Sequence, residues 1–482
     1  MELQSALLSD LVSLTVIAVV AFAAPFVASL IPGRPIPETV FLVFAGTLLG
    51  PNGVGLVHPS TEPMQLLSQL GLAFLFLMAG YEIEPRQIRG PMGRHASLCW
   101  LVSLGLAFAL AHALPLRETT SDVGLLAFAI AMTTTAYGTL APILRDRNLV
   151  RTPVGDAVMV YGAIGELLPV LAIAALLSSH STTASVILLV VFVLLCLDVW
   201  RRTKRAAARG SRIVTFMREN AETGSQTTVR ATVLLLVFLV TVSRLFDFDA
   251  VLGAFAAGFI LRSTVPDGDH VLEVKLDAIA FGFLVPLFFV MSGAAIDLSA
   301  VAANPALLFG FMALLLVVRA LPVGLSLRLS PETRRLSATE RLTAALYCSM
   351  ALPIIVAVTS VAVELDAMSQ SMASVLVCAG ALTVLLVPLA TSLVLQAQGF
   401  RLFGALGEVA EHPAQAGTVM REHRRQRLEY ARAFRKERRV LHEEGMPLSS
   451  AEYLALREYS KHLHGRDDAR GAPGGEDADR HN

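Results

Sequence analysis

Charge is scarce in this chain. Only 16% of its 482 residues are Asp, Glu, Lys or Arg, against about 25% in an ordinary water-soluble domain. With 54% hydrophobic residues and a mean hydropathy of +0.62, a globular protein with a polar surface is excluded. Net charge is absent as well, 39 basic residues balancing 39 acidic ones, so nothing marks nucleic acid as a partner. Cysteine is rare: Cys99, Cys196, Cys348 and Cys378 all fall in apolar stretches, where they read as small core residues and not as a disulfide or metal framework. The N-terminus has no basic region ahead of its first apolar run, so Leu11 to Ile31 reads as a span and not as a cleaved leader.

What is present in abundance is hydrophobic run. A membrane-crossing helix needs roughly 20 apolar residues, and cutting the chain at its charged and Pro/Gly-rich joints gives about thirteen spans: 11–31, 36–50, 64–82, 92–114, 122–146, 151–177, 183–200, 229–246, 247–264, 271–293, 304–329, 338–365 and 369–396. The expected fold is an all-α polytopic membrane protein. Charge asymmetry tests the count, because cytoplasmic joints collect Lys and Arg. Alternating assignment places twenty-one basic residues on one side, eight of them between Arg201 and Arg230, and only Arg117 and Arg244 on the other. That predicts a cell-membrane protein with the N-terminus outside and the C-terminus cytoplasmic. The predicted organisation is a first membrane half (1–200), a basic cytoplasmic linker (201–228), a second membrane half (229–396) and a cytoplasmic tail (397–482). The tail carries the basic run REHRRQRLEYARAFRKERR and then a composition that reads as disordered.

Two charges remain at membrane depth. Glu166 lies in YGAIGELLPV, within the sixth span, and Arg319 lies in FMALLLVVRALPVGL, near the middle of the eleventh. An ionisable residue at the bilayer centre costs at least a few kcal/mol, so it reads as functional, with a partner or a proton. Arg319 is the expected partner that neutralises Glu166 in the cation-free state. A buried pair that only ties two helices together is the competing reading. Glu82, Asp156, Asp198, Asp297 and Glu340 fall near span ends, where their side chains reach the interface.

Two spans are interrupted. MTTTAYGTLAP (Met132 to Pro142) breaks the fifth and YCSMALP (Tyr347 to Pro353) the twelfth. Non-helical backbone survives at membrane depth only inside protein or along a cavity, and broken helices in matching places of two halves mark a transporter binding site. Seven spans separate the two breaks, so spans one to six and eight to thirteen are expected to be inverted repeats with two broken crossing helices.

The phrases FAGTLLGPNGVGL, LGLAFLFLMAGYEIEP, TTTAYGTLAPIL, VLGAFAAGFILRST and VPLFFVMSGAAIDL, in this order between residues 40 and 300, make the chain similar to the monovalent cation:proton antiporter superfamily, in particular its bacterial potassium-efflux and sodium/proton branch. The resemblance implies exchange of Na⁺ or K⁺ for H⁺, no cofactor, no enzymatic activity, membrane lipid as surroundings and a homodimer. It places the ion-binding acid on Glu166, eleven residues after Gly155, and the broken-helix Thr on Thr135. Thr134, Tyr137 and Ser349 stand with Arg319 as the other candidate ion- or proton-binding residues, neutral oxygens suiting a hard cation. The chain departs from that pattern at Gly165, where relatives carry a second polar or acidic side chain, and at Met350-Ala351-Leu352. With Glu166 as the one carboxylate, one proton trades for one monovalent cation and the cycle moves no net charge. The alternative is an inverted-repeat solute or organic-anion symporter, since half-helix ends also bind carboxylates.

Overall fold

The computed structural model describes residues 2–30, 37–83, 88, 90–113, 121–146, 149, 152–176, 182–208, 226–264 and 270–400. The helices follow in order as α1 (Glu2–Leu30), α2 (Glu38–Leu49), α3 (Glu62–Glu82), α4 (Pro91–Ala113), α5 (Asp122–Met132), α6 (Tyr137–Asp146), α7 (Pro153–Leu176), α8 (Thr182–Ala208), α9 (Thr227–Leu245), α10 (Ala250–Thr264), α11 (His270–Ile279), α12 (Val285–Ala294), α13 (Leu298–Ala303), α14 (Pro305–Leu329), α15 (Ala338–Tyr347), α16 (Pro353–Glu364) and α17 (Gln370–Phe400). A π-helical turn, Ala280–Leu284, joins α11 to α12. No strand occurs among the described residues. Lipid offers no partner for a free N–H or C=O, which restricts spans to segments that close their own hydrogen bonds.

Nine stretches among the described residues are long and apolar enough to cross a membrane, and three shorter apolar helices, α2, α10 and α16, accompany them. The expected second and ninth spans are indeed short. The expected twelfth is two helices, α15 and α16. Apolar side chains such as Leu8, Val19, Phe22 and Phe26 on α1 stay exposed, as a lipid-facing surface requires. The basic joint after span seven begins helically, because α8 continues through Ala208, while 209–225 and the tail from 401 onward lie outside the described residues.

Met1–Ile143 and Thr152–Thr391 form one compact unit. Within it two sets of helices pack mainly among themselves: α2, α3, α9, α10 and α12 in one, and α4, α5, α7, α14, α15 and α16 in the other. The first set is drawn together by small residues. A Cβ on Gly258 of α10 would lie 2.0 Å from the Leu77 carbonyl oxygen of α3, and one on Gly80 of α3 would lie 2.3 Å from that of Phe255 on α10. Only glycine permits this approach, the membrane counterpart of close packing through small residues.

Helix starts follow their sequence signals. Ser121 caps α5 by accepting the Gly124 N–H, and Ser337 with Glu340 forms a capping box on α15. Proline opens α14 and α16, at Pro305 and Pro353, where its missing N–H is harmless. Asp297 caps α13 outside the spans. Hydrogen bonds from the Ser299 hydroxyl and from the Ala300 and Ser299 N–H groups hold its carboxyl below the usual carboxylate range. Along the chain the order α4, interrupted α5/α6, α7 recurs as α14, interrupted α15/α16, α17.

Candidate functional site

The first interruption is Thr133–Ala136, between α5 and α6. Threonine hydroxyls compete for the backbone there: Thr133 Oγ1 donates to the Ile130 carbonyl at 2.8 Å and Thr134 Oγ1 to that of Ala131 at 3.0 Å, which ends α5 from its own side chains. The second interruption, Cys348–Leu352, stops where Pro353 forces the preceding residue out of the helical region; Leu352 has φ −148° and ψ −60°. The two breaks bind each other. Ala136 N–H donates to the Met350 carbonyl at 2.7 Å, and Thr135 Oγ1 donates to that of Cys348 at 2.6 Å. Thr135 N–H reaches a third element, donating to the Gly165 carbonyl of α7 at 2.9 Å. Backbone freed from helix is thereby satisfied by protein, as its depth demands.

Glu166 stands beside this crossing. It is 1% exposed, and its carboxyl faces the backbone N–H of Gly138 at the start of α6. A helix N-terminus offers unpaired N–H groups and the positive end of the helix dipole, so the break in the fifth span aims a half-helix at the acid. Among the described residues, Glu166 Oε2 has no hydrogen-bond partner.

Arg319 is also 1% exposed, yet it makes no ion pair with Glu166, an expectation that the geometry corrects. Its guanidinium is committed elsewhere: Nε donates to Thr135 Oγ1 and Nη2 to the Tyr161 carbonyl, both at 3.0 Å. Nη1 has no partner. The other acid whose charge acts on Glu166 is Glu82, the last residue of α3. The reading of Glu82 as a mere span-end residue, and of Glu166 as an acid standing alone, missed this approach between the two helix sets.

Thr135 thus joins Arg319, the second break and α7. Tyr137 is buried, and its backbone N–H donates to the Thr135 carbonyl at 3.0 Å. Thr134 lies in the break with its hydroxyl turned back on α5, and Ser349 behaves likewise in the second break, donating to the Leu346 carbonyl at 2.6 Å. Sequence reasoning overlooked Tyr161, whose carbonyl receives Arg319 and whose hydroxyl shares a 2.7 Å hydrogen bond with Ser326 of α14. It also overlooked Thr383 of α17, whose Oγ1 stands 3.4 Å from the Ala351 N–H of the second break. All four cysteines are free thiols.

The family profile described as "Sodium/hydrogen exchanger, transmembrane" matches residues 14–397, most of the chain. The chain belongs to the sodium/hydrogen exchanger family. Among relatives of this chain, the Na(+)/H(+) antiporter NhaS5 of Synechocystis is 30% identical over 301 residues, covering 61% of this chain and 40% of that protein. The glutathione-regulated potassium-efflux system protein KefC of Escherichia coli is 29% identical over 285 residues, covering 56% and 44%. The matched regions span less than half the length of these two relatives. The sodium proton antiporter MjNhaP1 of Methanocaldococcus jannaschii superposes on the exchanger fold with a TM-score of 0.55 at 17% identity, covering 80% of this chain and 97% of that one. The two chains share a fold.

Proposed function

We propose that this chain is a secondary active transporter that exchanges a monovalent cation, Na⁺ or K⁺, for H⁺ by alternating access, with Glu166 as the shared site. The observation that carries the reading is a fully buried carboxylate held against the N-terminus of a half-helix, beside two broken helices that brace each other. A carboxylate in that place is a base with one free oxygen, able to hold a proton or a cation but not both. Competition for it couples the two fluxes, and rocking of one helix set against the other would present it to one side at a time. The Na⁺/H⁺ and K⁺ assignments of the relatives' names support the same class of substrate.

The exchange is electroneutral in this reading. Arg319 does not lose its proton in a protein, and position 165 has no side chain to titrate, so one carboxylate trades one H⁺ for one cation. The chain sits in the cell membrane with its N-terminus outside and its C-terminus in the cytoplasm, and works as a homodimer surrounded by lipid. Proteoliposomes loaded with pyranine test the function and the stoichiometry together. Addition of Na⁺, K⁺ or Li⁺ should alkalinise an acidic lumen at a rate that does not change when a potassium–valinomycin diffusion potential is imposed, with Na⁺ as test ion. No cation-dependent proton movement would overturn the function. A rate that rises several-fold with voltage would overturn the one-for-one cycle and direct attention to Glu82.

A further inference from the structure

Three residues after Glu166 the chain places a proline, in GELLPV, and Pro169 lies buried inside α7. A proline has no N–H, and its ring crowds the carbonyl four residues back, so the helical bond to that carbonyl is lost. Four residues back from 169 is Gly165, directly before the acid. At membrane depth a carbonyl freed in this way must find a donor on a neighbouring element. It does: the Thr135 N–H of the first break donates to the Gly165 carbonyl at 2.9 Å. Pro25 of α1, Pro322 of α14 and Pro388 of α17 also sit inside helices. Among the described residues, the carbonyls that these three free, on Ala21, Val318 and Val384, receive no main-chain donor from another element. The change of donor is particular to the helix that carries Glu166.

We infer that Pro169 is a positioning residue of the site: by withholding an N–H it leaves the Gly165 carbonyl to Thr135, and so fixes the first break against the helix that carries the acid. The tie matters because of what depends on Thr135. Its hydroxyl donates to the Cys348 carbonyl and accepts from Arg319 Nε, so one residue joins α7, α14 and the second break. Three residues further along the chain, the Gly138 N–H at the start of α6 faces the Glu166 carboxyl. The acid and the half-helix that it faces are therefore both referred to α7, one by its own side chain and the other through the Gly165 carbonyl. The next donor of the break cannot take over this tie, because the Ala136 N–H is already given to the Met350 carbonyl. An N–H at position 169 would close the helix on Gly165 and make the Thr135 N–H compete for a shared acceptor.

This inference deepens the proposed function and rests on it for its transport readout, while its structural half is measurable without transport. The full chain is made by cell-free synthesis into lipid with residue 169 changed in two ways, once as Pro169→Ala and once to lactic acid by nonsense suppression. Both remove the ring, and they differ in one group: alanine restores the N–H, whereas lactic acid carries the same methyl group with an ester oxygen in place of the N–H. Amide hydrogen exchange is read across the first break, and cation-dependent proton movement is read in vesicles. In Pro169→Ala the Thr135 amide should exchange about tenfold faster. The apparent KM for the cation should rise about fivefold with a smaller change in maximal rate, because a shared acceptor weakens the tie without abolishing it. The lactic acid protein should keep native protection at Thr135 and a KM within about twofold of the native value. A proline that only bends or packs α7 gives equal defects in the two proteins, and that result overturns the inference. An unchanged Thr135 amide in Pro169→Ala overturns it as well, and a faster Thr135 amide with KM unmoved overturns the positioning role. If Pro169→Ala does not fold, folding of the lactic acid protein supports the inference and its failure to fold overturns it. Failure of the native protein to exchange any cation overturns the proposed function instead, and the amide measurements still decide the tie.

Discussion

Replacing Glu166 by Gln separates the chemistry of the site from its stability. The amide keeps an oxygen for the Gly138 N–H at the start of α6, so the geometry of the first break is preserved. Hydrogen bonds to a charged acceptor contribute about 1.5–3 kcal/mol each, and part of that is lost with the charge. Against it stands the cost of holding an ion out of water, which is several kcal/mol for a carboxylate at 1% exposure. The two terms oppose each other, and the expected outcome is a Tm equal to or above that of the native protein. Transport should go the other way. A unit charge 4 Å from a cation contributes about 4 kcal/mol at an effective dielectric constant of 20, so the neutral amide loses about three powers of ten in cation affinity and has no proton to exchange. Dissipation of an imposed pH gradient on adding Na⁺ or K⁺ should fall to the leak of protein-free vesicles. Glu166→Asp should keep partial activity at a shorter reach. Exchange by Glu166→Gln at the native rate would refute the assignment of the site, and a collapse of Tm alongside lost transport would make Glu166 a structural residue.

Thr135→Val removes the hydroxyl that joins Arg319 Nε to the Cys348 carbonyl. It should lower stability by about 1–3 kcal/mol and slow exchange, whereas Thr135→Ser should restore both; equal behaviour of the two variants in denaturation and vesicle assays would dismiss the bridge. Gly258→Ala drives a methyl into the Leu77 carbonyl of α3, and overpacking of that kind costs about 1–3 kcal/mol, while Gly105→Ala on α4, with nothing within 4 Å of its Cβ, should leave Tm unchanged or raise it. A similar loss at both positions would show that helix packing in the first set is looser than the glycines imply.

Much of the architecture was legible because lipid simplifies the reading. Where backbone bonds close within each segment, spans follow from apolar length, and the interruptions follow from three consecutive threonines in one span and from Pro353 in the other. Glu166 and Arg319 stood out because charge is so rare among their neighbours. Their relationship was not legible. Sequence gives depth along a helix but not the direction of a long side chain, and Arg319 turns to a backbone carbonyl that no residue name advertises. Glu82 escaped for a related reason: position at the end of α3 suggested access to water and gave no sign that its charge acts on a carboxylate of another helix.

The main-chain bond between the two breaks has a consequence for how this sequence is free to drift. Ala136 N–H meets the Met350 carbonyl whatever side chain residue 350 carries, so the crossing is secured in a currency common to every amino acid but proline. Met350, Ala351 and Leu352 can therefore be apolar without stranding a polar group in the membrane, and substitutions there should change the lining of the crossing and leave its scaffold intact. Position 136 is the opposite case. A proline there deletes the donor itself, and no exchange at 350 can supply another, so a library that tolerates many residues at 350 should accept every one but proline at the level of this bond at 136. Amide hydrogen exchange would show the same asymmetry: Ala136, outside any helix, should be among the slowly exchanging amides of the first break.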